Sequence, residues 1–213
     1  MPAPRAIAAV DSRVQRLFLL SPARVDGARA QLLLNPRASF ALARQFRRAG
    51  LPLAEIFSFA SALYFRGKIA YARRFADVDR GGLIRIITTN AGLLDPLTLV
   101  TPATLRRFGK VDIHEADPRY HKPLRRDARA LARQLGPGGV VILLGSIATA
   151  KYRDALLAVF GDRLVFPRDF VGRGDMSRGG LLQRAARSGV ELPYMNAHAA
   201  IVTGRRAPRI GDM

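Results

Sequence analysis

Apolar runs alternate with amphipathic stretches along this chain, and Gly, Pro, Asn and Ser mark the boundaries between them. Val14 to Leu20 predicts a first strand, closed by Ser21-Pro22. Ser39 is placed to cap a helix running to Arg48, with Gly50 as its stop. A longer helical stretch covers Ala54 to Phe75, with a break near Ser61. Leu83 to Thr88 is β-branched and apolar, a buried strand ending at Asn90-Ala91-Gly92. The next segment, Leu93 to Arg119, carries Pro96, Pro102 and Pro118 and reads as loop-rich.

Helical periodicity returns from Pro123 to Leu135, stopped by Gly136-Pro137-Gly138-Gly139. Val140 to Leu144 is too apolar to be exposed on either face. Gly145-Ser146 then turns into a helix reaching Phe160, and Leu164 to Phe166 forms a short strand. Ser177 to Arg187 predicts a last helix, with an edge strand near Tyr194. Strands alternating with helices predict an α/β fold, a single domain whose central sheet is mostly parallel and flanked by helices. That domain spans 14–203, between a flexible N-terminus (1–13) and a basic C-terminal tail (204–213).

Composition narrows the class. At 49% hydrophobic, 213 residues suffice for a full core, and the absence of cysteine excludes disulfides, Cys-ligated zinc and thiol chemistry. The apolar run Ala6 to Val10 is too short for a secretory leader or a membrane span, so a cytoplasmic protein without a membrane partner is expected.

Charge changes the picture more. Thirty-five Lys+Arg face 16 Asp+Glu, a formal excess of +19, and all but Lys68, Lys110, Lys122 and Lys151 are arginine. Such an excess calls for a polyanion, and arginine both forks onto phosphate and stacks on bases. Lys122, Arg126, Arg129 and Arg133 recur at helical spacing opposite an apolar stripe of Leu124, Ala128, Leu131 and Leu135. This face predicts nucleic-acid phosphate contacts that confer affinity without sequence readout. Tyr64-Phe65-Arg66-Gly67-Lys68 interleaves aromatics with cations on another helix, where Arg66 and Lys68 would hold phosphate while rings stack on bases. The same spacing also fits a core stripe.

Ligands of parallel sheets bind beyond the carboxyl ends of the strands. There the chain offers Ser21 and Arg24, then Asn90 and Asp95, then Ser146, Lys151 and Tyr152, then Arg173, Asp175 and Arg178. Converged, they would form a cleft for a phosphate-bearing or nucleobase ligand. Asn90 or Asp95 would orient a water or base, Lys151 and Arg173 would hold phosphate, and Tyr64 or Tyr152 would stack on an extruded base. Gly145-Ser146 lacks the Walker pattern, since Ala150 precedes Lys151 and Tyr152 follows it. Gly136 to Gly139 precedes its strand, which excludes a dinucleotide fingerprint. His114, Glu115, Asp117 and His121 lack a metal-ligand spacing, and Pro118 interrupts them. No metal or cofactor is therefore expected.

Four segments together carry a resemblance. Leu19-Leu20-Ser21-Pro22-Ala23-Arg24, Gly92-Leu93-Leu94-Asp95-Pro96-Leu97 with Thr101-Pro102, Ser146 to Leu156, and Arg173-Gly174-Asp175-Met176-Ser177-Arg178 follow one another in order. They resemble segments of the peroxide-stress protein YaaA family, within the broader uracil-DNA-glycosylase-like α/β group. The resemblance implies one α/β domain, DNA binding and a role in limiting oxidative damage. It departs at Arg24 and Lys151, where lysine and glutamate stand in that family. The expected function is phosphate-directed nucleic-acid binding. The alternatives are a glycosylase-like enzyme acting on a nucleobase or N-glycosidic bond, and a basic RNA- or ribosome-associated protein.

Overall fold

The computed structural model describes residues 15–61, 63–146 and 150–198. The expected flexible N-terminus and basic tail lie outside them. The central strand, β1 (Arg16–Leu20), is buried along its whole length. It pairs in parallel with β3 (Leu83–Ile87) on one side and β6 (Val140–Leu144) on the other. Leu17 lies opposite both Leu83 and Val141. A strand covered on both faces has no polar face to present, which is why RLFLL and VVILL carry almost no alternation.

The six-stranded sheet runs β4-β3-β1-β6-β7-β8. β7 (Leu164–Pro167) continues the parallel set, while β4 (Leu93–Leu94) and β8 (Tyr194–Asn196) close the edges antiparallel. Two further short strands, β2 (Leu51–Pro52) and β5 (Leu99–Val100), pair separately. The chain leaves β1 toward β3 on one side and later reaches β6 on the other. The carboxyl ends of β1 and β6 therefore flank the point where connections diverge, which opens a crevice in sheets of this order.

Before β3 come α1 (Ala28–Leu34), α2 (Ala41–Ala49), α3 (Leu53–Ser61) and α4 (Leu63–Phe75). After β5 follow α5 (Pro102–Phe108) and α6 (Pro118–Gln134), then α7 (Ala150–Phe160) after β6 and α8 (Asp175–Ser188) after β7. The α/β class and the parallel sheet agree with the sequence reading. Two helices do not. The segment expected to be loop-rich holds α5, started by Thr101, whose side chain accepts from the Thr104 N–H, with Pro102 in the first turn. α1 begins after Gly27 without any side-chain cap, so it left no start signal.

α6 begins five residues earlier than its periodicity indicated, because Asp117 accepts the Arg119 N–H at 2.9 Å and Pro118 fits the first turn. α7 is described from Ala150, and the helix start expected just after Ser146 falls on 147–149, outside the described residues. No helix among the described residues is long and apolar enough to cross a membrane.

Candidate functional site

A cleft of about 650 Å³ opens at the switch point between β1 and β6. Its floor is the strand ends themselves. Ser21 extends the β1–β6 ladder by donating its N–H to the Leu144 carbonyl at 3.1 Å, which fixes its side chain at the cleft. Gly145 lies so near that a β-carbon on it would stand 2.8 Å from both the Ser21 β-carbon and the Tyr152 hydroxyl. Glycine here lets two strand turns and one helix meet. Tyr152, on α7, accepts the Ser146 N–H at 2.8 Å.

Beneath Ser21 lies Lys68, 1% exposed. Its Nζ donates to the Ser21 carbonyl at 2.7 Å and to Ser21 Oγ at 2.8 Å, and sits 4.2 Å from the Tyr64 ring centroid. No carboxylate among the described residues hydrogen-bonds this ammonium. Burial therefore drives its pKa down to about 7, with Asp175 opposing the shift and Arg178 adding to it. Burial likewise pushes the Tyr152 hydroxyl up, opposed by its hydrogen bonds with Ser21 and the Ser146 N–H. The Tyr64 hydroxyl is buried at the cleft and makes no well-formed hydrogen bond among the described residues; burial raises its pKa strongly, opposed by the nearby Arg178 guanidinium.

The rim is cationic. Arg24, Arg29 and Lys151 line it, with Asp175 as the one carboxylate among the described lining residues. Arg24 is held by Asp26 at 2.7 Å, whereas Arg29 and Lys151 are exposed and make no ion pair among the described residues.

The cleft thus gathers Ser21, Arg24, Tyr64, Ser146, Lys151, Tyr152 and Asp175 from the sequence-predicted set, but not Asn90, Asp95, Arg173 or Arg178. Asp95 lies beyond β4, paired with Arg85 at 3.0 Å and accepting the Leu97 N–H. Asn90 donates to the Arg107 carbonyl at 2.8 Å and ties the end of β3 to α5. Neither lines the cleft, so the water- or base-orienting role expected of them has no geometric basis. Arg173 donates to Ser177 Oγ and also lies off the lining. Arg178 stands behind the cleft, its guanidinium donating to the Phe170 carbonyl.

Lys68 requires the larger correction. The sequence reading placed it on phosphate with Arg66, yet only Arg66 is exposed. Tyr64, Lys68 and Tyr71 occupy one buried stripe at i, i+4 and i+7. A lysine inside an aromatic stripe was the available signal. Arg29 left none, because α1 itself was unmarked.

On the sheet's other connection, α6 presents the expected basic face. Lys122, Arg126, Arg129 and Arg133 are exposed, joined by Arg125, while Leu124, Ala128 and Leu131 are buried. The lone acid of this span is spent inward. Asp127 accepts the Leu93 N–H at 2.9 Å and the Arg126 guanidinium at 2.7 Å. Lys122, Arg125, Arg129 and Arg133 make no ion pair among the described residues. The turn from Asn90 to Leu93 thereby brings the basic end of α5, with Arg106 and Arg107, and the middle of α6 to either side of one clamp. As for His114, Glu115, Asp117 and His121, Asp117 is the α6 cap and pairs with Arg119 at 2.7 Å, while His114 Nδ1 accepts the Ala116 N–H.

Comparison with protein-family models, with curated proteins and with solved structures yields no match.

Proposed function

We propose that this protein binds nucleic acid through its phosphates, largely without reading sequence, and that the switch-point cleft receives one nucleotide of the bound strand. The observation that carries this reading is α6, where Lys122, Arg125, Arg129 and Arg133 stand exposed without an ion pair among the described residues, while Asp127, the one acid within the helix, binds the Leu93 N–H and Arg126. A solvated charged face mixes signs; this one does not. The cleft adds a nucleotide-sized cavity with a cationic rim and a tyrosine hydroxyl that makes no well-formed hydrogen bond among the described residues.

A second reading, chemistry on a nucleobase or glycosidic bond in that cleft, draws support from its place at the strand ends. Asp175 would have to orient the water or base in place of Asn90 and Asp95. A part in limiting oxidative damage to DNA is the setting the resemblance implies for either reading.

Fluorescence anisotropy with labelled single- and double-stranded DNA and RNA tests the binding reading. Log K should fall linearly with log salt, with a slope near −0.9 per phosphate neutralised on duplex DNA. Binding indifferent to salt from about 50 to 200 mM would overturn it.

A further inference from the structure

We propose that Ser21 is the nucleophile of an acyl-transfer site, with Lys68 as its proton acceptor and Tyr152 as the hydroxyl that positions it. Three independent features converge. Ser21 Oγ lines the cleft at the end of a fully buried strand, so its position is rigid. Lys68 Nζ lies 2.8 Å from it and has no carboxylate partner among the described residues. Tyr152 accepts the Ser146 N–H, which leaves its own O–H free to donate to Ser21 Oγ.

A buried amine without a counter-ion favours its neutral form, and neutral lysine carries the lone pair that a serine proton needs. The Lys68–Ser21 hydrogen bond then reverses, Ser21 donating to Nζ. Serine paired with lysine is a known substitute for serine paired with histidine.

The step balances without a further reactant. Ser21 Oγ bonds to the carbonyl carbon of an ester while its proton passes to Lys68 Nζ. The tetrahedral adduct collapses by breaking the C–O bond to the alcohol, which leaves with that proton. Water next attacks the acyl-serine; Lys68 takes its proton and returns it to Ser21 Oγ as the carboxylic acid departs. Arg29 and Lys151, exposed on the rim, suit an ester whose alcohol carries phosphate, such as an acylated nucleotide. That carrier assignment rests on the nucleic-acid reading; the serine chemistry does not.

A fluorophosphonate probe on the full-length protein decides it. One adduct per chain should map to Ser21, vanish in Ser21→Ala, and form roughly a hundredfold more slowly in Lys68→Met. In the wild type its rate should rise as pH passes about 7, where Lys68, facing Tyr64 of α4, Tyr152 of α7, and Asp175 and Arg178 of α8, loses its proton. No adduct at Ser21, or one indifferent to both Lys68 and pH, overturns the proposal.

Should Lys68→Met fail to fold, Ser21→Cys serves instead, since the chain has no other thiol. Iodoacetamide should alkylate it with an apparent pKa below about 8.5, and an ordinary value or higher overturns the pairing. Hydrolysis of an O-acetylated nucleoside monophosphate should exceed that of the O-acetylated nucleoside by roughly tenfold. Equal rates overturn the carrier alone. Labelling needs no nucleic acid, so its failure and a failure of nucleic-acid binding are separate results.

Discussion

Gly67 and Gly179 face each other where α4 crosses α8, so close that a β-carbon on Gly67 would lie 2.6 Å from the Gly179 carbonyl oxygen. This pair lets the two helix backbones touch, in the most extensive helix contact of the described fold. Lys68 and Tyr64 on α4 are thereby set against Asp175 and Arg178 on α8, the charges that act on the buried amine. The cleft's chemistry depends on two missing side chains. Gly179→Ala should destabilise the protein by about 1–3 kcal/mol through overpacking, since its new methyl would sit 2.8 Å from the Tyr64 Cα. Denaturant unfolding reads the loss, and a lowered rate of fluorophosphonate labelling should accompany it.

The exposed α6 cations carry the binding proposal, and they are not equivalent. Arg126 is already held by Asp127, whereas Arg129 and Arg133 are unpaired among the described residues. Arg129→Gln with Arg133→Gln should weaken DNA binding at 100 mM salt and flatten the log–log salt slope by about 0.9 for each phosphate contact removed. Arg126→Gln should do less. Anisotropy titrations of these variants at several salt concentrations measure both effects.

Lys68 links stability to pH. Its folded pKa, near 7, is below the unfolded value of about 10.4. Between these values the unfolded chain binds a proton that the native state lacks, so raising pH favours folding. From pH 7.5 to 9.5 the wild type should gain on Lys68→Met by up to about 1.4 kcal/mol per unit. Urea unfolding across that range tests it; a gap that stays flat or moves the other way would show that Lys68 remains charged in the fold.

Tyr64 separates stability from recognition. Removing its buried hydroxyl, which makes no well-formed hydrogen bond among the described residues, in Tyr64→Phe should leave stability unchanged or raise it by about 1 kcal/mol, while the ring stays against Lys68. If the hydroxyl awaits a ligand, short oligonucleotides should bind roughly three- to tenfold more weakly. A variant that loses stability and keeps its affinity would show the hydroxyl to be structural.

Much of the fold is legible because local chemistry and tertiary position agree. Val140–Leu144 is buried because nothing in it could face water, and Gly50 ends α2 where a positive φ is needed. The apolar stripe of α6 sets its basic face outward in any globular fold. Where a helix is short and uncapped, as α1 is, no local signal exists, because its stability comes from packing.

The sequence by itself determined the α/β class, the parallel strands, the cationic excess and the outward face of α6. Each of these follows from periodicity or composition over a few adjacent turns. Tertiary structure alone decided which strand ends meet. Ser21, Lys68 and Tyr152 lie far apart along the chain, and strand order brings them together while sending Asp95 to the sheet's edge. It also reversed the meaning of Lys68. A lysine reads as a surface cation until the packing around it shows that water cannot reach its charge.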